Sequence, residues 1–273
     1  MPVRQARPTP DRRTSRKSLP KSMILEALNY AATWPLTTAG HRKAIRYSVN
    51  LWARANRCAG DWQAHEDNCK ASILAAVSSL RQRRTVVVLG SGLLRDVPII
   101  ELSRSFDTVV LIDLVHLASV RAWLKLKGLK NVRLIERDLS GYEAIKGGET
   151  PDPLGFLRQV PYLDLVISAN LLSQIGTGAR KRLEADTSGR MPPDSVARLI
   201  KAHLDGLHGL TCRYSLLTDI AYEVIDRTGH VHERFDLLHG IAVPEHQQAW
   251  DWPVVPIGEE SKDYRIVHRV ISV

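Results

Sequence analysis

The 273-residue chain has little cysteine, no long apolar run and an incomplete glycine signature, and each shortage closes off a class of protein. Its three cysteines, Cys58, Cys69 and Cys212, are odd in number and scattered, which points to reduced thiols and not to a disulfide framework. No apolar stretch approaches the ~20 residues that cross a bilayer, and no basic-then-apolar leader opens the chain, so the cytoplasm is the expected location. A dinucleotide-binding turn places a third glycine or alanine five residues after its first. Here Gly90 and Gly92 are followed by Arg95 at that point, which disfavours a nicotinamide or flavin cofactor. There is no GK[ST] to cradle a triphosphate. His65 and Cys69 can share one helix face, but a tetrahedral metal site needs three or four ligands, so no metal is expected.

What is present is an ordinary globular composition, 44% hydrophobic and 25% charged. The net charge of +9 is unevenly placed. Residues 1–21 carry Arg4, Arg7, Arg12, Arg13, Arg16, Lys17 and Lys21 against Asp11 alone, while the rest of the chain is nearly balanced. This proline- and serine-containing arm has no apolar periodicity and is expected to be disordered. Its charge suits contact with nucleic acid, and a solvated tail is the plainer reading; no membrane partner is expected. Oligomeric state is not legible.

Residues 22–84 read as a helical extension: MILEALNYAATW, a break at 35–40, then HRKAIRYSVNLWARANRC and DWQAHEDNCKASILAAVSSLRQRR. Ile45, Val49 and Trp52 mark one apolar stripe, and Ile73, Leu74, Val77 and Leu80 another. From Thr85 onward strand and helix alternate. Strands are expected at 86–89, 109–112, 132–136, 162–168 and 210–217, the last ending at Thr218-Asp219. Helices are expected after the Gly-Ser-Gly turn with Asp96 as N-cap and Pro98 in the first turn, over 114–127 with Gly128 as the stop, and from Pro193 or Asp194 to about His208. The segment 176–193, rich in Gly, Thr, Ser and charge, reads as a mobile or substrate-side insertion. In the tail, 222–225 and 231–237 flank a hairpin turn at Arg227–His230, and 264–273 alternates as a closing strand. The expected fold is therefore α/β, a Rossmann-like doubly wound mostly parallel sheet over 85–273, with antiparallel C-terminal strands and an N-terminal helical extension.

The stretch 85–113, TVVVLGSGLLRDVPIIELSRSFDTVVLID, organises this reading. A β-branched strand enters the Gly-Ser-Gly turn, a helix follows, and a second strand ends in Asp113, placed to accept hydrogen bonds from ribose hydroxyls. Glycines 90 and 92 allow backbone to approach a ligand closely. With phosphate-bearing cofactors disfavoured, an adenosine-containing ligand without phosphates remains, of which S-adenosylmethionine is the common one. Asp113 and Asp138 also have plain alternatives as helix caps.

Over roughly 85–273 the motifs VVVLGSG, VVLID, RLIERDLS and LDLVISANLL resemble, in order and placement, the class I S-adenosylmethionine-dependent methyltransferases. The resemblance implies that Leu89, Gly90, Ser91 and Gly92 line the methionine and ribose part of the cofactor. Asp113 would then hold the ribose, Asp138 and the Leu139 backbone would meet the adenine, and Asn170 would face the methyl group. Val88 and Leu94 stand where the family's first motif carries an acid and a further glycine. Nicotianamine synthases, which transfer an aminocarboxypropyl group, have similar loops. The expected activity is methyl transfer to a small molecule. An RNA acceptor reached through the arm, aminocarboxypropyl transfer and a non-catalytic adenosine-binding module stand as alternatives. Asp219, His239 and His246 are candidates, by position, for a base that takes the acceptor's proton.

Overall fold

The computed structural model describes residues 21–185 and 192–273. Three helices, α1 (Lys21–Thr33), α2 (Ile45–Arg57) and α3 (Ala59–Ser78), precede an eight-stranded sheet. Its first four strands are β1 (Thr85–Leu89), β2 (Thr108–Asp113), β3 (Val132–Glu136) and β4 (Leu163–Ala169). They are followed by β5 (Arg213–Asp226), β6 (Val231–Asp236), β7 (Gln248–Val255) and β8 (Tyr264–Ser272). The intervening helices are α4 (Ile99–Ser105), α5 (Ala118–Leu126), α6 (Tyr142–Lys146), α7 (Leu172–Ala185) and α8 (Ser195–His208). Strand order is β3-β2-β1-β4-β5-β8-β7, with β6 pairing β5. The first five strands are parallel and the C-terminal three run antiparallel to their neighbours, the Rossmann-like arrangement expected from the sequence.

Alternation along the fully buried β1 divides the core between the two faces. Val86 and Val88 join a cluster with Ile45, Ile73, Leu102 and Leu124 from α2, α3, α4 and α5. Val87 and Leu89 join Ile145, Ile175, Leu199 and Leu204 from α6, α7 and α8. A parallel strand covered on both faces has no solvent side, hence the uninterrupted TVVVL. The extension helix α3 is thus a covering layer of the sheet, packed against β7 through Trp62, whose indole N–H donates to Val254 O at 3.3 Å.

Several local expectations need correction. The helix expected from Leu114 starts at Ala118, because the first amides of α5 are capped from another helix. Ala118 N donates to Thr33 Oγ1 at 2.9 Å and Ser119 N to Asn29 Oδ1 at 3.2 Å. Helix α1 is consequently turned inside out, with Asn29 and Thr33 buried and Met23, Ile24, Leu25 and Leu28 exposed. Gly128 does stop α5, at φ +67°, with Gly128 N bonded to Lys125 O. Leu74, placed on a buried stripe, faces outward, and Cys69 takes its place beside Ile73 and Val77. The insertion expected at 176–193 is helical through Ala185, the end of α7; its part at 186–191, like the basic arm before Lys21, lies outside the described residues. The fifth strand does not end at Asp219. It runs on to Asp226 and itself forms the first arm of the hairpin, with an irregularity between Asp219 and Ala221.

Candidate active site

In an open α/β sheet the carboxyl ends of the parallel strands form the crevice, because there the connections leave toward opposite faces. At the end of β1 the chain turns sharply through Gly90 at φ +72° and Gly92 at φ +47°. A Cβ on Gly90 would stand 2.8 Å from Leu171 Cβ and 3.1 Å from Ala169 O, so this glycine is required by the chain's own packing against the end of β4. Gly92 lies in open space except for Gly90 O at 3.8 Å.

Asp113, half-buried at the end of β2, closes onto this turn. Its Oδ2 accepts the Gly92 amide at 2.7 Å and its Oδ1 the Leu114 amide at 2.7 Å. Burial raises its carboxyl above the ordinary aspartate range, against the pull of those amides and of His116. Beyond β3, Asp138 accepts the Ser140 amide at 2.8 Å and the Arg182 guanidinium of α7 at 3.0 Å. Burial works against its ionisation, but Ser140 and Arg182 prevail and hold the carboxyl below its usual range. Leu139 beside it is buried. The capping reading of Asp138 is partly met, since it holds the Ser140 amide, while α6 starts at Tyr142 after Gly141 in the left-handed region.

Asn170 follows β4 at φ +48°, a left-handed conformation that asparagine tolerates better than most residues, and its amide N–H is held by Leu217 O at 2.9 Å. That turn delivers the side chain into a buried polar cluster assembled from distant segments. Asn170 Nδ2 donates to Asp96 Oδ2 at 2.6 Å and lies 3.7 Å from Cys69 Sγ and 3.4 Å from His65 Nε2. His65 stacks flat on Trp252, with ring centroids 3.8 Å apart, and its Nδ1 accepts the Trp250 indole N–H at 3.1 Å. That contact leaves the imidazole proton on Nε2. Burial lowers His65 to about 4, although Asp96 and Asp219 oppose the shift, so the ring is neutral near pH 7. Arg95, from the same loop as Asp96, donates to Glu66 Oε1 of α3 at 2.5 Å and ties the extension to the glycine turn.

The ligand-capable atoms of His65, Cys69 and Asp96 lie within 4.8 Å of one another, a third group that the helix face alone did not reveal. The Trp250 contact places a proton on His65 Nε2, and burial, with the Asp96 charge, raises the Cys69 thiol well above its usual range. In this arrangement the Asn170 amide donates to Asp96 and faces the Cys69 sulfur, a weak acceptor, while the protonated Nε2 of His65 points toward the same sulfur at 3.6 Å.

On the other side of Asn170 stands Asp219, buried within β5. Its Oδ2 lies 2.5 Å from His268 Nδ1 of β8. Burial pushes the Asp219 carboxyl up, but the His268 contact and the Ser173 hydroxyl of α7 outweigh it and hold the group below its usual range. His268 lies directly across the sheet from Tyr222 on one side and Trp252 on the other. It stacks on Tyr222 at 5.6 Å and meets Trp252 edge-on at 5.9 Å. Three polar atoms, just past the ends of β1 and β4 and midway along the adjacent β5, are buried without a partner among the described residues: Ser91 Oγ, Asn170 Oδ1 and Asp219 Oδ1.

Of the sequence-derived site residues, Leu89, Gly90, Ser91, Gly92 and Asp113 gather at the glycine turn, Asp138 and Leu139 follow the next strand, Asn170 joins the polar cluster, and Asp219 pairs with His268. His246 is exposed and lines an open groove of about 760 Å³ with α8 and Tyr214, near the start of β5. His239 packs against Phe235 and beside Gly176 of α7. His268, Trp250 and Trp252 went unrecognised as site residues; the alternating AWDW and YRIVHRV segments place each on a definite sheet face, but only strand pairing brings them to Asp219.

Known proteins add little. Neither a family model nor a curated protein matches the chain. Among solved structures, it is similar to a SAM-dependent methyltransferase from Aquifex aeolicus, at 14% identity over 74% of this chain and 89% of that one, with a TM-score of 0.31. It is also similar to an O-methyltransferase family protein from Burkholderia thailandensis, at 13% identity over 91% and 70%, with a TM-score of 0.38. The N-terminal domain of EvdMO1 with SAH bound gives 13% identity over 76% and 79%, and 0.33. Likenesses this distant carry no argument about ligand or reaction, which rest on the residues themselves.

Proposed function

We propose that the chain is an S-adenosylmethionine-dependent methyltransferase that acts on a small-molecule acceptor. The observation that carries this reading is the set of unpartnered buried polar atoms on three neighbouring strands, Ser91 Oγ and Asn170 Oδ1 just past β1 and β4 and Asp219 Oδ1 within β5, two residues beyond its pairing with β4. A buried polar group without a partner costs about 1–3 kcal/mol, and a polar ligand lying across these strands would recover that cost. Ser91 and Gly92 would hold the methionine portion, Asp113 the ribose hydroxyls, and Asp138 with the Leu139 backbone the adenine. The cofactor supplies a methyl group already activated by its sulfonium, so the protein's part is chiefly alignment. Asn170, fixed in the left-handed turn and anchored on Asp96, would orient the acceptor toward that methyl.

Titration calorimetry with S-adenosylmethionine and S-adenosylhomocysteine tests the reading. Asp113→Ala and Asp138→Ala are each expected to weaken uptake at least about tenfold, the equivalent of roughly 1.4 kcal/mol. No uptake by the intact chain, or uptake indifferent to both changes, overturns it. Release of methylthioadenosine during turnover, in place of S-adenosylhomocysteine, would redirect it to aminocarboxypropyl transfer.

A further inference from the structure

Asn170, His65, Trp252, His268, Asp219 and Ser173 close a ring. Asn170 meets His65, His65 stacks on Trp252, Trp252 meets His268 edge-on, and His268 meets Asp219. The Ser173 hydroxyl, in the first turn of α7 three residues after Asn170, helps hold the Asp219 carboxyl below its usual range. Two of the unpartnered buried acceptors, Asn170 Oδ1 and Asp219 Oδ1, belong to this ring. Both ask for a donor, as a hydroxyl hydrogen would be.

The His268 side chain is only 17% exposed, and it has one bonded ring nitrogen. Nδ1 faces the Asp219 carboxylate, so in the neutral ring Nδ1 carries the proton and Nε2 holds the lone pair, with no hydrogen-bond partner among the described residues. A carboxylate that fixes the tautomer and supports the charge gained on protonation is the arrangement a general base requires. The other titratable groups around this imidazole are Tyr222 of β5, stacked on it, and His65 of α3, behind Trp252. His65 is neutral near pH 7 and bonded at Nδ1 to Trp250, so His268 is the ring's imidazole with a lone pair free.

We infer that His268, held by Asp219, is the base that deprotonates a hydroxyl acceptor bound in this ring, so that the product is an O-methyl ether. This rests on the methyltransferase reading above. In the step, the acceptor oxygen forms its bond to the methyl carbon, the carbon–sulfur bond breaks with its electron pair left on sulfur, and the hydroxyl proton passes to His268 Nε2. A neutral amine would attack through its own lone pair and needs no such base.

The test uses the full chain, methyl-labelled S-adenosylmethionine, and two panels: phenols graded from phenol to nitrophenols, and matched anilines. The intact protein is expected to label the phenols on oxygen, and any labelling of the anilines, which need no base, should be unchanged in His268→Gln. His268→Gln should keep cofactor affinity within about twofold by calorimetry and lose roughly 10²–10⁴-fold in rate on phenol. That loss should shrink steadily toward the nitrophenols, which ionise without help. A loss equal across the panel marks a structural role and overturns the proposal. So does an unimpaired variant, or the absence of any O-methyl product while the cofactor binds normally. Failure to bind the cofactor at all instead removes the methyltransferase reading beneath it.

Discussion

Replacing Gly90 with alanine separates two reasons for a glycine in the turn after β1. One is conformational: at φ +72° an L-residue pays about 1–2 kcal/mol. The other is steric, since the new Cβ would stand 2.8 Å from Leu171 Cβ and 3.1 Å from Ala169 O, and relief of such overpacking costs typically 1–3 kcal/mol. The sum is about 2–5 kcal/mol. At about 2–4 °C per kcal/mol for chains of this size, the melting temperature should fall by on the order of 10 °C. Gly128→Ala is the control, because Gly128 has nearly the same φ, +67°, and nothing within 4 Å of its would-be Cβ. It should show the conformational cost alone. Urea unfolding curves with unchanged slopes would give the difference directly. A double-mutant cycle sharpens the test. The nearest obstruction is Leu171 Cβ itself, so Leu171→Gly should couple favourably to Gly90→Ala, whereas Leu171→Ala, which keeps that atom, should couple much less. Equal losses for Gly90→Ala and Gly128→Ala would refute the close approach and return Gly90 to a purely conformational role.

Two further outcomes follow from buried polar groups. His65 and His203 are both lowered to about 4 by burial, from an unfolded value near 6.5. The unfolded chain therefore binds more protons between those values, so stability rises with pH across about pH 4–6.5, by on the order of 3 kcal/mol per imidazole, and is lost on acidification. Asp113, raised by burial, acts in the opposite sense above pH 3.8. Urea unfolding at a series of pH values, with nitrogen NMR of the histidines, checks this; midpoints near 6.5 for both rings would refute it. Thr33→Val removes the oxygen that accepts the Ala118 amide and should cost about 1–3 kcal/mol. It should also cut hydrogen-exchange protection at Ala118 ahead of the sheet amides, and unchanged protection there would show that α1 does not cap α5.

Much of the sheet was legible because its signals are local. Val86–Leu89, Val109–Ile112 and Val132–Glu136 are short runs too apolar for a solvent-facing strand, and the Gly-Ser-Gly turn with an acid one strand later fixed the order of the first half. Asp113 needed only that placement, and it does meet the turn. Local pattern failed where a partner far along the chain decides the outcome. The start of α5 is set by Asn29 and Thr33, some 90 residues earlier, and so the capping motif is absent from its own sequence. Strand β5 continues past Asp219 because β6 and β8 flank its second half, and a ladder partner can extend a strand through residues that would otherwise turn.

The same division runs through the site. Composition, spacing and residue type by themselves determined a doubly wound sheet and the placement of particular acids and glycines at the carboxyl ends of its first strands. They could not determine that α3 lays His65 and Cys69 beside Asn170, or that antiparallel β8 and β7 bring His268 and Trp252 to Asp219. Those meetings depend on register and on the packing of segments far apart in the chain, 49 residues for Asp219 and His268 and 105 for His65 and Asn170, and no periodicity within a segment encodes which distant segment it will face.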